Sequence, residues 1–62
     1  MSSVDKEVIE VDGKKFEIVV YFYECQGLFE ARYEEEDCIG VGTTREKAIE
    51  NLIEDMKEAG VL

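Results

Sequence analysis

Histidine is absent from this 62-residue chain, and cysteine occurs only twice. Without an imidazole, neither thiol has the usual base that activates a nucleophile. Two thiols alone also fall short of a closed zinc site. Cys38 therefore reads as a small residue near the start of a strand. In the strand assignment below, Cys25 and Cys38 lie at opposite ends of one strand. At ~3.3 Å per residue they stand about 20 Å apart, beyond disulfide reach. No stretch approaches the ~20 apolar residues of a membrane span. The opening Met1-Ser2-Ser3-Val4-Asp5 has neither the basic nor the apolar region of a secretory signal. Together these gaps set the expectation of a cytoplasmic protein.

Positive charge is also scarce. Seven basic residues stand against 16 acidic ones, a net charge of −9. Most nucleic-acid binders gain affinity by neutralising phosphates, so direct DNA or RNA reading is not expected. An RNA-binding role ranks below a protein-binding one. A basic protein partner suits the charge, because complementary fields speed encounter. The acidic run 34–37 lacks the glycine and ligand spacing of a calcium loop and reads as a solvated turn. Gly40 and Gly42 lack the longer glycine pattern and the lysine of a phosphate loop. Carboxylates are plentiful, but none falls where the sequence predicts a pocket. No enzymatic activity, cofactor or metal is expected.

What is present is enough apolar residue, 45% of the chain, for one thin core. A chain this short makes a single domain, residues 1–62, with a helix on a sheet and little net stability, which oligomerisation often supplements. Residues 1–6 read as a frayed lead-in and 7–11 as the first strand. Asp12-Gly13 signals a two-residue type I′ turn. That turn sets Val11 opposite Lys14, Glu10 opposite Lys15 as an outer ion pair, and Ile9 opposite Phe16 as an inner packed pair. The second strand, 14–24, alternates. Phe16, Ile18, Val20 and Phe22 point inward, and Glu17, Val19, Tyr21 and Tyr23 outward. A two- or four-residue turn at Gln26-Gly27 then sets Glu24 against Phe29, Phe22 against Ala31 and Val20 against Tyr33. A three-residue loop would put the third strand, 28–34, on the wrong face. A three-residue loop at 35–37 next places Ile39 opposite Tyr33 and Val41 opposite Ala31, both inward.

The fourth strand, 38–42, launches the C-terminal helix, about 44–59. Thr43 has Glu46 at capping-box spacing, and Thr44 fits the apolar phase equally well, so either is a candidate cap. Ala48, Ile49, Leu52, Ile53, Met56 and Ala59 form one stripe, and Gly60 is the stop. The expected fold class is α+β: an antiparallel four-stranded β-meander with one C-terminal helix packed on one face.

The run Cys38-Ile39-Gly40-Val41-Gly42-Thr43-Thr44-Arg45-Glu46-Lys47-Ala48 resembles the signature of HicB-like proteins. Cys38, Ile39, Gly42, Thr44, Glu46 and Ala48 match that signature in order and spacing. Thr43 and Lys47 replace two of its acids, and Glu36-Asp37 stand where the family usually has Pro-Gly. The resemblance covers roughly residues 14–58. It implies a double-stranded-RNA-binding-like ββββα module, and in the family such a module often serves as the antitoxin that masks a small basic ribonuclease toxin. Full-length antitoxins add a DNA-binding segment. The sequence ends at Leu62 without one, so operator binding is not expected.

The helix stripe is spent on the inner face, so the outer face should stay open. Val19, Tyr21, Tyr23, Leu28 and Arg32 are the candidate interface residues there, being of the types favoured at binding surfaces. A homo-oligomer, built through this face or through an unpaired sheet edge, is expected beside the basic partner.

Overall fold

A computed structural model describes residues 3–62 of the chain. Four strands, β1 (Ser3–Val11), β2 (Lys14–Tyr23), β3 (Leu28–Tyr33) and β4 (Cys38–Gly42), form one antiparallel sheet in sequence order. The helix α1 (Arg45–Glu58) follows and packs on β4 and β3. This is the expected α+β meander. Among the described residues no helix is long and apolar enough to cross a membrane.

The first hairpin closes as its sequence requires. Asp12 and Gly13 take φ of 52° and 79°, both positive as a type I′ turn demands. Val11, Glu10 and Ile9 stand opposite Lys14, Lys15 and Phe16. Glu10 and Lys15 share the register, but no ion pair closes between these exposed side chains, because water competes for both ends. Pairing runs on to Ser3 opposite Phe22, so the part of the expected lead-in from Ser3 onward is strand. Met1 and Ser2 lie outside the described residues.

The second hairpin keeps its expected faces but shifts by two residues. Phe22 stands opposite Phe29, and Val20 opposite Ala31. The turn is 24–27. The Gln26 and Gly27 amides both donate to the Tyr23 carbonyl, at 3.1 and 2.8 Å. Gly27 ends it at φ 63°. The left-handed slot falls on the last turn residue, and glycine fills it at no steric cost. That position fixes the register.

The third connection departs from expectation. Its loop has four residues, 34–37: a 3-10 turn at Glu34–Glu36 and then Asp37 at φ 56°. Asp37 fills the slot that Gly27 fills in the previous turn. Tyr33 therefore pairs with Cys38, Arg32 with Ile39 and Ala31 with Gly40. A one-residue change turns every side chain of β4 over. Ile39 and Val41, expected inward, face out and are 43% and 45% exposed. Cys38 and Gly40 face the helix and are buried.

The physical reason is the closeness of the helix. A Cβ added to Gly40 would collide with the backbone of Leu52 and Ala48, and one on Gly42 would come within 2.6 Å of the Lys47 Cβ. Only glycine lets the two backbones approach so near. The core between the layers is Phe16, Ile18, Val20, Ala31 and Cys38 from the sheet with Ala48, Leu52 and Met56 from the helix. Phe16 meets the Tyr33 ring edge-on at 5.4 Å.

Both helix ends are capped. Thr44 is the N-cap, and its Oγ accepts the Lys47 amide at 3.1 Å. At the other end the Gly60 amide donates to Lys57 and the Val61 amide to Met56, with Gly60 at φ 77°. That is a Schellman stop, and it folds Val61 and Leu62 back against the core. Arg45 ties the helix start to the far strand, donating to Glu7 and, at 3.4 Å, to Asp5 of β1.

Candidate protein-binding face

The outer face of the sheet carries no helix. Antiparallel register arranges it in rows. Val4, Tyr21, Glu30 and Val41 make one row, and Lys6, Val19, Arg32 and Ile39 the next. Tyr23 beside Leu28 extends the patch at one end, and Val8 beside Glu17 at the other. All five sequence candidates lie here together. Tyr21, Tyr23, Leu28 and Arg32 are half-buried. Val19 is only 8% exposed, because the rows on either side and its Lys6 and Arg32 neighbours close over it.

The face is built around a buried carboxylate. Glu30 is 9% exposed although no layer covers it. The Tyr23 hydroxyl donates to Glu30 Oε1 at 2.5 Å, and Arg32 Nε donates to Oε2 at 3.0 Å. The Arg32 guanidinium also lies 5.3 Å over the Tyr21 ring, and Tyr21 stacks on Tyr23 at 6.3 Å. Among the described residues no buried side-chain polar atom lacks a partner. A satisfied network of this kind holds its members in one geometry before anything binds.

The electrostatics follow from those contacts. The Tyr23 hydrogen bond holds the Glu30 carboxyl below its ordinary value, with Arg32 adding to it and burial opposing. The same bond pushes the Tyr23 phenol up. Lys6, Lys15 and Arg32 balance Glu10, Glu17 and Glu30 across the face. The patch is neutral, so the excess of −9 lies off it, on the helix, the loops and the inner-face side chains of β1, with Lys14 of β2 offsetting one charge.

Sequence reasoning missed four apolar members of this face. Val4 and Val8 are 56% and 60% exposed on β1, and Ile39 and Val41 face outward on β4 at the opposite edge. Val4 was hidden by the frayed reading of residues 1–6. The β4 pair was hidden because Asp37, unlike a glycine, gives no clear mark of a left-handed turn end. The glycines at 40 and 42 were the available signal, since bare positions suit the side a helix approaches.

The thiols stand apart from this face. Cys25 is exposed in the second turn, and Cys38 is buried under the helix. Burial, and then the nearby carboxylates of Asp55, Glu36 and Asp37, push the Cys38 thiol up and hold its proton. A surface depression of about 340 Å³ lies at the far end of β2, lined by Lys6, Lys15, Glu17, Glu34 and Glu35 among others. Among the described residues no group of three or more potential ligands gathers as a metal site. Compared with known proteins, the chain matches no family model, no curated protein and no solved structure.

Proposed function

We propose that this protein is a non-enzymatic, antitoxin-like binding module that docks a small basic protein on the open face of its sheet. One observation carries the reading: a neutral patch, apolar on every strand and stiffened by the Tyr23–Glu30–Arg32 network, is set in an otherwise acidic surface. Interfaces place their uncharged contacts at the centre and their polar groups at the rim. Here the rim is negative, so the complementary partner is positive around an apolar centre. The HicB-like resemblance of residues 38–48 supplies the class of that partner, a small basic ribonuclease toxin. Tyr21, Tyr23 and Arg32 are the anchors, being aromatic and arginine side chains already held in place. The acidic rim speeds encounter, and the central contacts set the lifetime of the complex.

The test is calorimetric titration with a small basic ribonuclease encoded beside this protein's gene. Affinity should fall as salt rises from 50 to 500 mM (roughly a Debye length of 14 Å shrinking to 4 Å) and should be lost in Tyr21→Ala. Salt-insensitive affinity, or binding that Tyr21→Ala leaves intact, would count against it. A homo-oligomeric scaffold is the second reading, and the free edge of β1 favours it.

A further inference from the structure

The sheet has two edges, and the fold treats them differently. At β4 the edge is occupied. The Ile39 amide donates to Asp55 Oδ2 at 3.0 Å, and Asn51 Nδ2 donates to the Val41 carbonyl at 2.6 Å. Both partners reach down from α1 and take up backbone groups that would otherwise template another strand. The β1 edge has no such cover among the described residues, although it is nine residues long. The type I′ turn makes Val11 and Lys14 the bonded closing pair of the hairpin. Ladder alternation then turns the backbone groups of Ile9, Glu7 and Asp5 toward β2 and those of Glu10, Lys6, Val8 and Val4 toward open solvent.

Its side chains read as self-complementary. Val8 is 60% exposed, and Lys6 and Glu10, two residues to either side of it, are exposed and form no ion pair among the described residues. We infer that two copies of the chain join β1 to β1 antiparallel about a two-fold axis through Val8, making one eight-stranded sheet. In this register Val8 meets Val8 of the second copy, and Lys6 meets Glu10 in both directions. On the inner side Glu7 falls beside Ile9, and Asp5 beside Val11. Moving the axis to Glu7 sets two glutamates together, and moving it to Lys6 sets two lysines together, each an unfavourable cross-strand pair. The axis stands normal to the sheet. Both helices therefore lie on one side, and the two open faces merge on the other. The edge pairs through β1, whereas the proposed docking anchors Tyr21, Tyr23 and Arg32 lie on β2 and β3, so either can fail without the other.

Sedimentation velocity on the full chain tests this. The expected species at 100 µM is a dimer, twice the 7.1 kDa chain mass. Lys6→Glu sets like charges opposite each other twice and should weaken the dimer by about tenfold or more. Glu10→Lys should do the same. The double exchange Lys6→Glu with Glu10→Lys restores opposite charges and should recover the dimer. Val8→Pro, placed where the amide points to solvent, should give a folded monomer by circular dichroism. A monomeric wild type overturns the inference, and so does a dimer that both single charge reversals leave unchanged. Recovery in the double exchange separates edge pairing from a general change in net charge.

Discussion

The two faces of this sheet are made from the same strands and differ in almost every other respect. The inner face is a packed interior: Ile18, Ala31, Ala48, Leu52 and Met56 have no exposure at all. The outer face keeps Val4, Val8, Ile39 and Val41 in solvent and buries a glutamate instead. In β4 the contrast is sharpest, because the β-branched residues point outward and glycine points at the helix. A layer selected for stability alone would put Ile39 and Val41 under α1. Their placement outward leaves apolar side chains on the surface, and the proposed docking rests on that exposure.

Substitution at Gly40 should break the inner face most completely. Gly40→Val drives a side chain into helix backbone, which cannot give way as a side-chain tip can. The expected cost exceeds ~3 kcal/mol, close to the whole stability of so small a domain, and thermal unfolding followed by circular dichroism should show no cooperative transition. Leu52→Ala and Tyr21→Ala sharpen the comparison. The first empties a fully buried site and should cost about 2–5 kcal/mol. The second should move the melting midpoint by only about 5 °C or less while abolishing partner binding. The reverse pattern, a folding defect at Tyr21 with binding intact, would make the outer face structural.

Acid should reach the outer face through Glu30. Its folded carboxyl titrates below the ordinary glutamate value of about 4.3, so the stability it contributes is complete above that pH. It is lost as pH falls further, through the folded value. Melting curves from pH 6 to pH 2 should therefore decline more steeply in the wild type than in Glu30→Gln. At the alkaline end the sign is opposite. The Glu35 carboxylate, 2.6 Å from the Tyr33 hydroxyl, pushes that phenol up to about 12. Its contribution is whole below the ordinary tyrosine value and disappears as pH rises through about 12. The smallest effect is expected at the third loop. Asp37→Gly relieves a left-handed residue that carries a Cβ and should stabilise the fold by about 0.5 kcal/mol in urea unfolding.

Much of this fold is legible in the sequence, and the reasons are local. Asp12-Gly13 names its own turn type, so the first register follows from two residues. Alternation over residues 14–23 separates Phe16 and Ile18 from Tyr21 and Tyr23 without any tertiary knowledge. The six-residue stripe of α1 is a periodic signal, and it supplies the buried Ala48, Leu52 and Met56. The reading fails where one residue decides and its chemistry is ambiguous. Gly27 and Asp37 hold the same place in two four-residue loops, but aspartate is common in many turn positions. An odd loop at 35–37 was the apolar-looking solution, and it set β4 upside down. The candidate site is legible in part for the same reason. Its β2 and β3 members come from alternation, whereas the buried state of Glu30 depends on Tyr23 reaching it from β2 as well as on Arg32 two residues along β3, and no local pattern announces the cross-strand contact.

The outer face as a working surface is tested most directly by amide chemical-shift mapping. The isotope-labelled chain would be titrated with a small basic ribonuclease of the proposed class. Shifts should concentrate on Val19, Tyr21, Tyr23, Leu28, Glu30, Arg32, Ile39 and Val41 and leave the solvent side of α1 unmoved. Shifts confined to Glu46, Glu50, Glu54 and Glu58 on the helix would contradict it.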